Sequence, residues 1–175
     1  MNISLCCIGE DDLTDIARLA NDADIAAMTN NLPHPYTEAH AKTWFDYVQS
    51  HDNEHVFKIC ANGRLMGVIG LVHEENHNRA ELGYWLGKPY WNRGIMSAAI
   101  PMALSYAFDV LGVRRVFARC YASNAASRRV LEKCGFIQEG CQRRHHECMG
   151  VIHDVLCFGL LKEEYSAASG SDAGL

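Results

Sequence analysis

The sequence lacks an excess of basic residues and lacks a long apolar segment. It holds 16 Lys and Arg against 21 Asp and Glu, a formal net charge of −5 over 175 residues. A chain of this charge has no basic field with which to neutralise a nucleic-acid backbone over many phosphate contacts. The longest uncharged stretch of its apolar middle, residues 94–108, is interrupted by Pro101 and is shorter than the roughly 18 residues that span a bilayer. We therefore expect no nucleic-acid partner and no membrane partner.

The sequence also begins without a basic stretch followed by an apolar run, the pattern that is typical of a secretory signal. We therefore expect a cytoplasmic protein whose eight cysteines are reduced, most of them small apolar residues within strand-like runs. His145, His146 and His153, with nearby cysteines, invite interpretation as a metal site. Structural zinc usually has paired ligands at short spacing, and strand alternation would send these side chains to opposite faces, so we expect no metal.

The composition suits one compact domain. Hydrophobic residues make up 49% of the chain, enough to bury a core that needs no metal or disulfide to fold. We expect this domain over residues 1–165, followed by a disordered tail over residues 166–175, SAASGSDAGL. No internal repeat and no second domain are apparent.

Local patterns predict alternating strands and helices. The clearest is VFKICA, then Asn62-Gly63, then RLMGVIGLV, because a two-residue hairpin needs positive φ angles that Asn-Gly adopts at low cost. Further strands are predicted over residues 2–8, 80–86 and 113–120, and in a closing hairpin that turns near Met149-Gly150.

Apolar residues at helical spacing predict four helices. One follows Asp11 or Asp12 as a cap, one follows the N-cap Thr37, one covers residues 95–111 with a kink near Ile100, and one covers residues 124–134. The order of elements predicts an α/β fold of the α+β type, a single domain whose mixed, mostly antiparallel central sheet is flanked by helices.

The junction YWLGKPYWNRGIMS, residues 84–97, joins a predicted strand to the longest predicted helix. Free N–H groups and the positive dipole end at a helix start attract anions, and Gly94 lets a phosphate approach the backbone. Lys88 and Arg93 add cationic side chains. The junction is either a phosphate-binding loop or a plain strand-to-helix connection, because one glycine does not decide between them.

A second segment, RRVFARCYASNAASRRVLEKCGF, ends a strand in a polar loop whose Ser123 or Asn124 can cap the next helix. With the junction, it resembles the acyl-CoA-binding half of the GNAT acetyltransferases (general-control-related N-acetyltransferases). The resemblance is closest to their RimJ/RimL branch, which includes ribosomal-protein N-terminal acetyltransferases. The matching strings are ELGYWLGKPYWNRGIMSAA, NAASRRVLEKCGF and HDVLCFGLLKEEY, and the resemblance covers residues 2–165.

The resemblance implies acetyl-CoA as co-substrate. The strand at residues 84–86 would offer backbone groups to the pantetheine arm, and one of its N–H groups would polarise the thioester carbonyl. The family's pyrophosphate loop falls on residues 91–96, where Trp91 and Met96 depart from its usual first and last positions. Arg129 would reach a phosphate of CoA or remain a solvated helix residue. The residues that the resemblance assigns to CoA are Tyr84, Trp85, Leu86, Trp91, Asn92, Arg93, Gly94, Ile95, Met96, Ser97, Asn124 and Arg129.

The resemblance also implies an acid and a base, since an amine attacks a thioester only in its neutral form. Glu81, on the strand beside the expected thioester, matches a glutamate of the family and is the candidate base; the alternative is an exposed strand carboxylate. Ser127 matches a serine placed to protonate the departing thiolate. Asp154 matches an acidic position of the branch, where it would shape the acceptor site or form hydrogen bonds within the hairpin.

These observations predict an N-acetyltransferase that moves an acetyl group from acetyl-CoA to a primary amine, on a protein N-terminus or a small molecule. We expect direct attack in a ternary complex and not an acetyl-cysteine at Cys120 or Cys134, because no cysteine has a matched base nearby in sequence. The alternatives are a catalytically silent CoA-binding regulatory module, or an acetyltransferase for a polyamine, an aminoglycoside or an amino acid. The sequence decides neither the acceptor nor whether the chain is a monomer or a homodimer.

Overall fold

Seven strands of the described part of the chain form one mixed sheet in the order β1-β2-β3-β4-β5-β7-β6. The computed structural model describes residues 2–30 and 32–170, and for residues 167–170 the backbone alone. Neighbouring strands are antiparallel, apart from the parallel pair β4 and β5. The predicted mixed, mostly antiparallel sheet is therefore confirmed. The strands are β1 Ile3–Cys7, β2 Glu54–Ala61, β3 Arg64–Glu74, β4 Arg79–Leu86, β5 Arg115–Tyr121, β6 Ile137–Cys148 and β7 Val151–Leu161.

Helices cover both faces of this sheet. They are α1 Leu13–Ala20, α2 Ala23–Met28, α3 Glu38–Gln49, α4 Ile95–Ser105, α5 Ala125–Lys133 and α6 Lys162–Gly170. Helix α3 begins as predicted, because the Thr37 hydroxyl accepts the His40 N–H at 3.3 Å. None of the helices in the described residues is long and apolar enough to cross a membrane.

The predicted hairpins are confirmed by their backbone angles. Asn62 and Gly63 join β2 to β3 with φ angles of 51° and 73°, and Met149 and Gly150 join β6 to β7 with φ angles of 50° and 76°. Both turns use two consecutive left-handed residues, the conformation that matches the twist of a tight hairpin.

Two details of the first and fourth helices differ from the sequence prediction. The Asp12 carboxylate does not cap α1; it accepts the Gly9 N–H at 2.8 Å and pairs with Lys58 Nζ at 2.8 Å. The predicted helix over residues 95–111 changes at Ser105 from α-helix to a π turn, Tyr106–Val110, whose wider hydrogen bonds no apolar period reveals.

The end of the chain also differs from the expectation. Helix α6 continues to Gly170 and so includes the first five residues of the predicted tail, residues 166–170. The rest of that predicted tail, residues 171–175, lies outside the described residues.

The sheet separates two apolar clusters. The larger lies on the side of α4 and α5 and includes Ile69, Leu82 and Ile100, whereas the smaller lies on the side of α1 and α3 and includes Phe45 and Val68. Neighbouring residues of β3 enter opposite clusters because side chains alternate along a strand. A ligand that passes between two strands of the sheet would therefore extend from one packed layer to the other.

Candidate active site

Strands β4 and β5 part halfway along their length. They pair from Arg79 with Arg115 to Leu82 with Ala118, yet β4 continues to Leu86 and β5 to Tyr121. The backbone of residues 83–86 on the β5 side is therefore without a strand partner within the described sheet. This opening leads into a cleft of about 1050 Å³.

The peptide between Leu86 and Gly87 fixes the direction of the backbone at the opening. The Gly87 N–H donates to the Met66 carbonyl at 2.9 Å, on the β3 side. In a trans peptide the Leu86 carbonyl points the opposite way, toward the opening. There it accepts the indole N–H of Trp91 at 2.8 Å, which fixes the loop that follows β4 against the strand end.

The loop at residues 91–96 ends at the start of α4, where backbone donors face the cleft. Gly94 has a φ of 71°, and a Cβ built on it would meet no atom within 4 Å. The first helical bond runs from the Ala98 N–H to the Gly94 carbonyl, so the N–H groups of residues 95–97 precede the helical ladder. Met96, a departure from the family pattern, is buried in the core cluster below.

Three cations of the described residues line the same cleft: Arg93, Arg129 and Lys133. None of the three has an ion-pair partner among the described residues. Lys88, by contrast, pairs with Asp24 and does not line the cleft. Backbone donors and unpaired cations in one cleft favour the binding of an anionic ligand.

Tyr84 and Ser127 meet across the opening. The phenol oxygen of Tyr84 lies 2.7 Å from the Ser127 hydroxyl oxygen, which joins β4 to α5. Burial raises the pKa of the Tyr84 phenol well above its usual range, so Tyr84 keeps its proton at neutral pH. Asn124 caps α5, because its side-chain oxygen accepts the Ser127 N–H at 3.0 Å, and it also lines the cleft.

Glu81 lies on the other face of β4, with Gly83 and Trp85, and also lines the cleft. Its two carboxylate oxygens accept hydrogen bonds from Arg119 of β5, at 2.9 Å from Nε and 3.2 Å from Nη2. The sequence did not indicate Arg119 as a site residue. It lies 38 residues from Glu81 in the chain, and no local sequence pattern predicts a contact between side chains on two strands.

Aromatic rings line the cleft on this second face. The Tyr121 ring stacks on His153 with a centroid distance of 4.1 Å, and the His146 ring lies edge-on at 6.1 Å. The Tyr121 hydroxyl is buried without a nitrogen or oxygen partner in the described part of the chain, and burial, with Cys148 beside it, raises the pKa of Tyr121 to about 12. No group of three or more potential metal ligands occurs among the described residues.

Asp154 is exposed and does not line the cleft. Its carboxylate accepts the Arg144 N–H at 2.7 Å, and its carbonyl accepts the Ala122 N–H at 2.9 Å. Of the two roles predicted for this residue, hydrogen bonding within the hairpin is the one that these contacts provide.

The protein has an α/β fold whose mixed sheet opens into a cleft where two neighbouring strands part. Residues 5–137 match the acetyltransferase (GNAT) domain model, which covers more than half of the chain. The chain belongs to the GNAT acetyltransferase family.

Individual relatives agree with this membership. The chain is 38% identical over 105 residues to "Putative ribosomal N-acetyltransferase YdaF" of Bacillus subtilis (strain 168), a match that covers 59% of this chain and 57% of that protein. It is 24% identical over 172 residues to spermidine N(1)-acetyltransferase of Vibrio cholerae, which covers 93% of this chain and 95% of that protein. The chain thus matches little more than half the length of the first of these relatives.

A solved structure shares the fold. The spermidine N-acetyltransferase from Vibrio cholerae in complex with CoA and spermine superposes with a TM-score of 0.85 at 22% identity, over 94% of this chain and 98% of that one. At this identity the likeness shows a common architecture.

Proposed function

We propose that the chain is an acetyl-CoA-dependent N-acetyltransferase that transfers the acetyl group to a primary amine by direct attack in a ternary complex. The parting of β4 and β5 after Leu82 carries the proposal, because it gives a thioester access to both faces of the sheet. The donors at residues 95–97 lie on one face, and Glu81 lies on the other.

The residues present fit CoA along the length of the cleft. The N–H groups of residues 95–97, with Arg93 and Arg129, would hold the diphosphate. The pantetheine arm, which carries amides, would find partners in the backbone of residues 83–85 on the β5 side and in the side chain of Asn124. A bound acetyl-CoA supplies the activated acyl group.

The chemistry needs a proton for the departing sulfur. When the amine nitrogen bonds to the acetyl carbon, the carbon–sulfur bond breaks with its electron pair left on the thiolate, and the nitrogen loses one proton to solvent as the amide forms. Ser127 is the proposed donor of a proton to that thiolate; it takes a proton in turn from Tyr84, whose phenol oxygen lies 2.7 Å away, and Tyr84 regains its proton from solvent. A catalytically silent module would not need this pair of hydroxyl groups at the opening.

The charges of the cleft favour an acceptor with a single amine over a polyamine. Three carboxylates line the cleft, but Asp24 pairs with Lys88 and Glu81 pairs with Arg119. Glu54 alone has no cationic partner among the described residues, whereas a polycation would gain from several such carboxylates. We therefore propose a protein N-terminal amine as the acceptor, in line with the RimJ/RimL resemblance.

The test is a thiol-release assay with acetyl-CoA against peptide N-termini, spermidine, an aminoglycoside and free amino acids. Turnover should be fastest with a peptide N-terminus, and initial-rate lines should intersect, as a ternary complex requires. Fastest turnover with spermidine would overturn the acceptor class. Tight CoA binding in calorimetry without turnover on any acceptor would establish the silent module instead, and absence of CoA binding would overturn the proposal.

A further inference from the structure

His146 has the surroundings of a proton acceptor, although the sequence considered it only as a metal ligand. Its side chain is half-buried in the cleft wall, on the face of the sheet that holds Glu81. No hydrogen-bond partner for either of its ring nitrogens occurs among residues 2–30 and 32–170. Its ring lies edge-on to the Tyr121 ring at 6.1 Å and beside the His145 ring at 5.4 Å, and the residue lines the cleft.

A bulge in β6 places His146 opposite His153, at the cleft wall. Gln142 pairs with Val155 and His146 pairs with His153. Between these two pairs, β6 advances by four residues and β7 by two. In a regular ladder Arg144 would lie opposite His153. The bulge, with Arg144 at a φ of 49° and its N–H bonded to Asp154, replaces that permanent cation by a titratable imidazole.

The groups around His146 keep it neutral before the reaction. Arg119 faces it from β5, His145 precedes it on β6, and His153 faces it from β7. The remaining neighbour, Tyr121 of β5, keeps its phenol proton. Burial, followed by repulsion from His145, Arg119 and His153, lowers the pKa of His146 below its ordinary value. A neutral imidazole at pH 7 offers a free lone pair.

Glu81 is less well placed to accept a proton, because both of its oxygens already accept hydrogen bonds from Arg119. The Arg119 guanidinium therefore binds the carboxylate of Glu81, and it also contributes to the lowered pKa of His146. The second face of the cleft therefore holds an ion pair between Glu81 and Arg119, and the side chain of His146, which has a free lone pair on its ring.

We propose that His146 is the catalytic base of this cleft, taking the proton that the acceptor ammonium group loses before it attacks the thioester. The inference rests on the proposed function. The N–H bond of the ammonium breaks, its electron pair stays on nitrogen for the attack, and the proton moves to an imidazole nitrogen, directly or through one water. After the transfer the imidazolium, repelled by Arg119, returns the proton to solvent.

The experiment compares His146→Gln with wild type and with His77→Gln, an exposed histidine in the turn between β3 and β4. We expect His146→Gln to lower kcat on the order of 100-fold at pH 7 and to remove the acidic limb of the kcat profile from about pH 5 to about pH 9. Its CoA affinity in calorimetry and its melting temperature should match those of His77→Gln. Added imidazole should restore part of the rate of His146→Ala.

The outcomes separate this inference from the proposed function. A wild type that turns over, with a His146→Gln variant that keeps its acidic limb and a kcat within about twofold of wild type, would overturn the inference and leave the function standing. Loss of the limb in Glu81→Gln but not in His146→Gln would also overturn it and assign the base to Glu81. A wild type inactive with every amine would overturn both.

Discussion

At the scale of single residues, the Tyr84 and Ser127 hydroxyl groups form a hydrogen-bonded pair at the opening. A serine that gives its proton to a thiolate performs best when its own oxygen already accepts a hydrogen bond, because the hydroxyl hydrogen then points away from that donor. Tyr84 of β4, whose phenol oxygen lies 2.7 Å from the Ser127 oxygen, is placed to supply this bond. Since burial keeps Tyr84 protonated, any basic limb of activity below about pH 10 comes from another group.

Replacing Tyr84 by Phe removes this donor while it keeps the ring in place. We expect kcat to fall about tenfold, the rate equivalent of one hydrogen bond of about 1.4 kcal/mol, with little change in the affinity for CoA. Steady-state kinetics with a saturating acceptor checks it. Tyr106→Phe is the matched control, because that hydroxyl bonds His55 at 3.3 Å outside the cleft. Equal rates for the two variants would remove Tyr84 from the mechanism.

At the scale of elements, the start of α4 and the turn between β2 and β3 each contain a glycine with a positive φ angle, but the two glycines have different functions. Gly94 and Gly63 have φ angles of 71° and 73°, and a Cβ on either would meet no atom within 4 Å. The strain of an added methyl group is therefore similar at the two positions, about 1 kcal/mol. Only the methyl at Gly94 enters the cleft beside the helix donors.

This pair of glycines gives a matched test of the phosphate site. Gly94→Ala and Gly63→Ala should lose similar free energy of unfolding, about 1 kcal/mol each in urea titrations. Gly94→Ala should in addition weaken CoA binding by about tenfold in calorimetry, because the methyl keeps a phosphate from the backbone. Unchanged affinity in Gly94→Ala would move the diphosphate away from this loop.

Elements with local signals were predictable from the sequence. Asn62-Gly63 and Thr37 act through bonds and dihedral angles within a few residues, so the hairpin and the start of α3 followed directly. The residues proposed for CoA lie in strings of consecutive residues, so the family resemblance could indicate them. The pair of Arg119 with Glu81 and the β6 bulge could not be predicted, because Arg119 reaches Glu81 from another strand and the bulge bonds to Asp154, ten residues away.

At the scale of the whole molecule, the sheet is both the core of the fold and the frame of the cleft. Gly67 of β3 lies opposite Leu86, the last residue of β4, and a Cβ on Gly67 would lie 2.3 Å from the Trp85 carbonyl oxygen. Gly159 of β7 is as crowded, but a Cβ there would meet the side-chain ends of Arg115 and Glu139, at 2.5 Å each.

The two glycines should therefore differ in their tolerance of substitution. Gly67→Ala forces β3 and β4 apart and should cost about 3 kcal/mol of unfolding free energy. Gly159→Ala only displaces an ion pair that reaches solvent and should cost less than about 1 kcal/mol. Urea denaturation of both variants gives the comparison, and equal losses would contradict the assignment of rigid backbone to one site and movable side chains to the other.

The opening between β4 and β5 has one more consequence, for the order of events during turnover. In the proposed function the carrier and the acceptor enter from opposite faces, so each entrance stays clear while the other is occupied. The architecture thus imposes no compulsory sequence of arrival or departure, and spent carrier can leave while the acylated product is still in place.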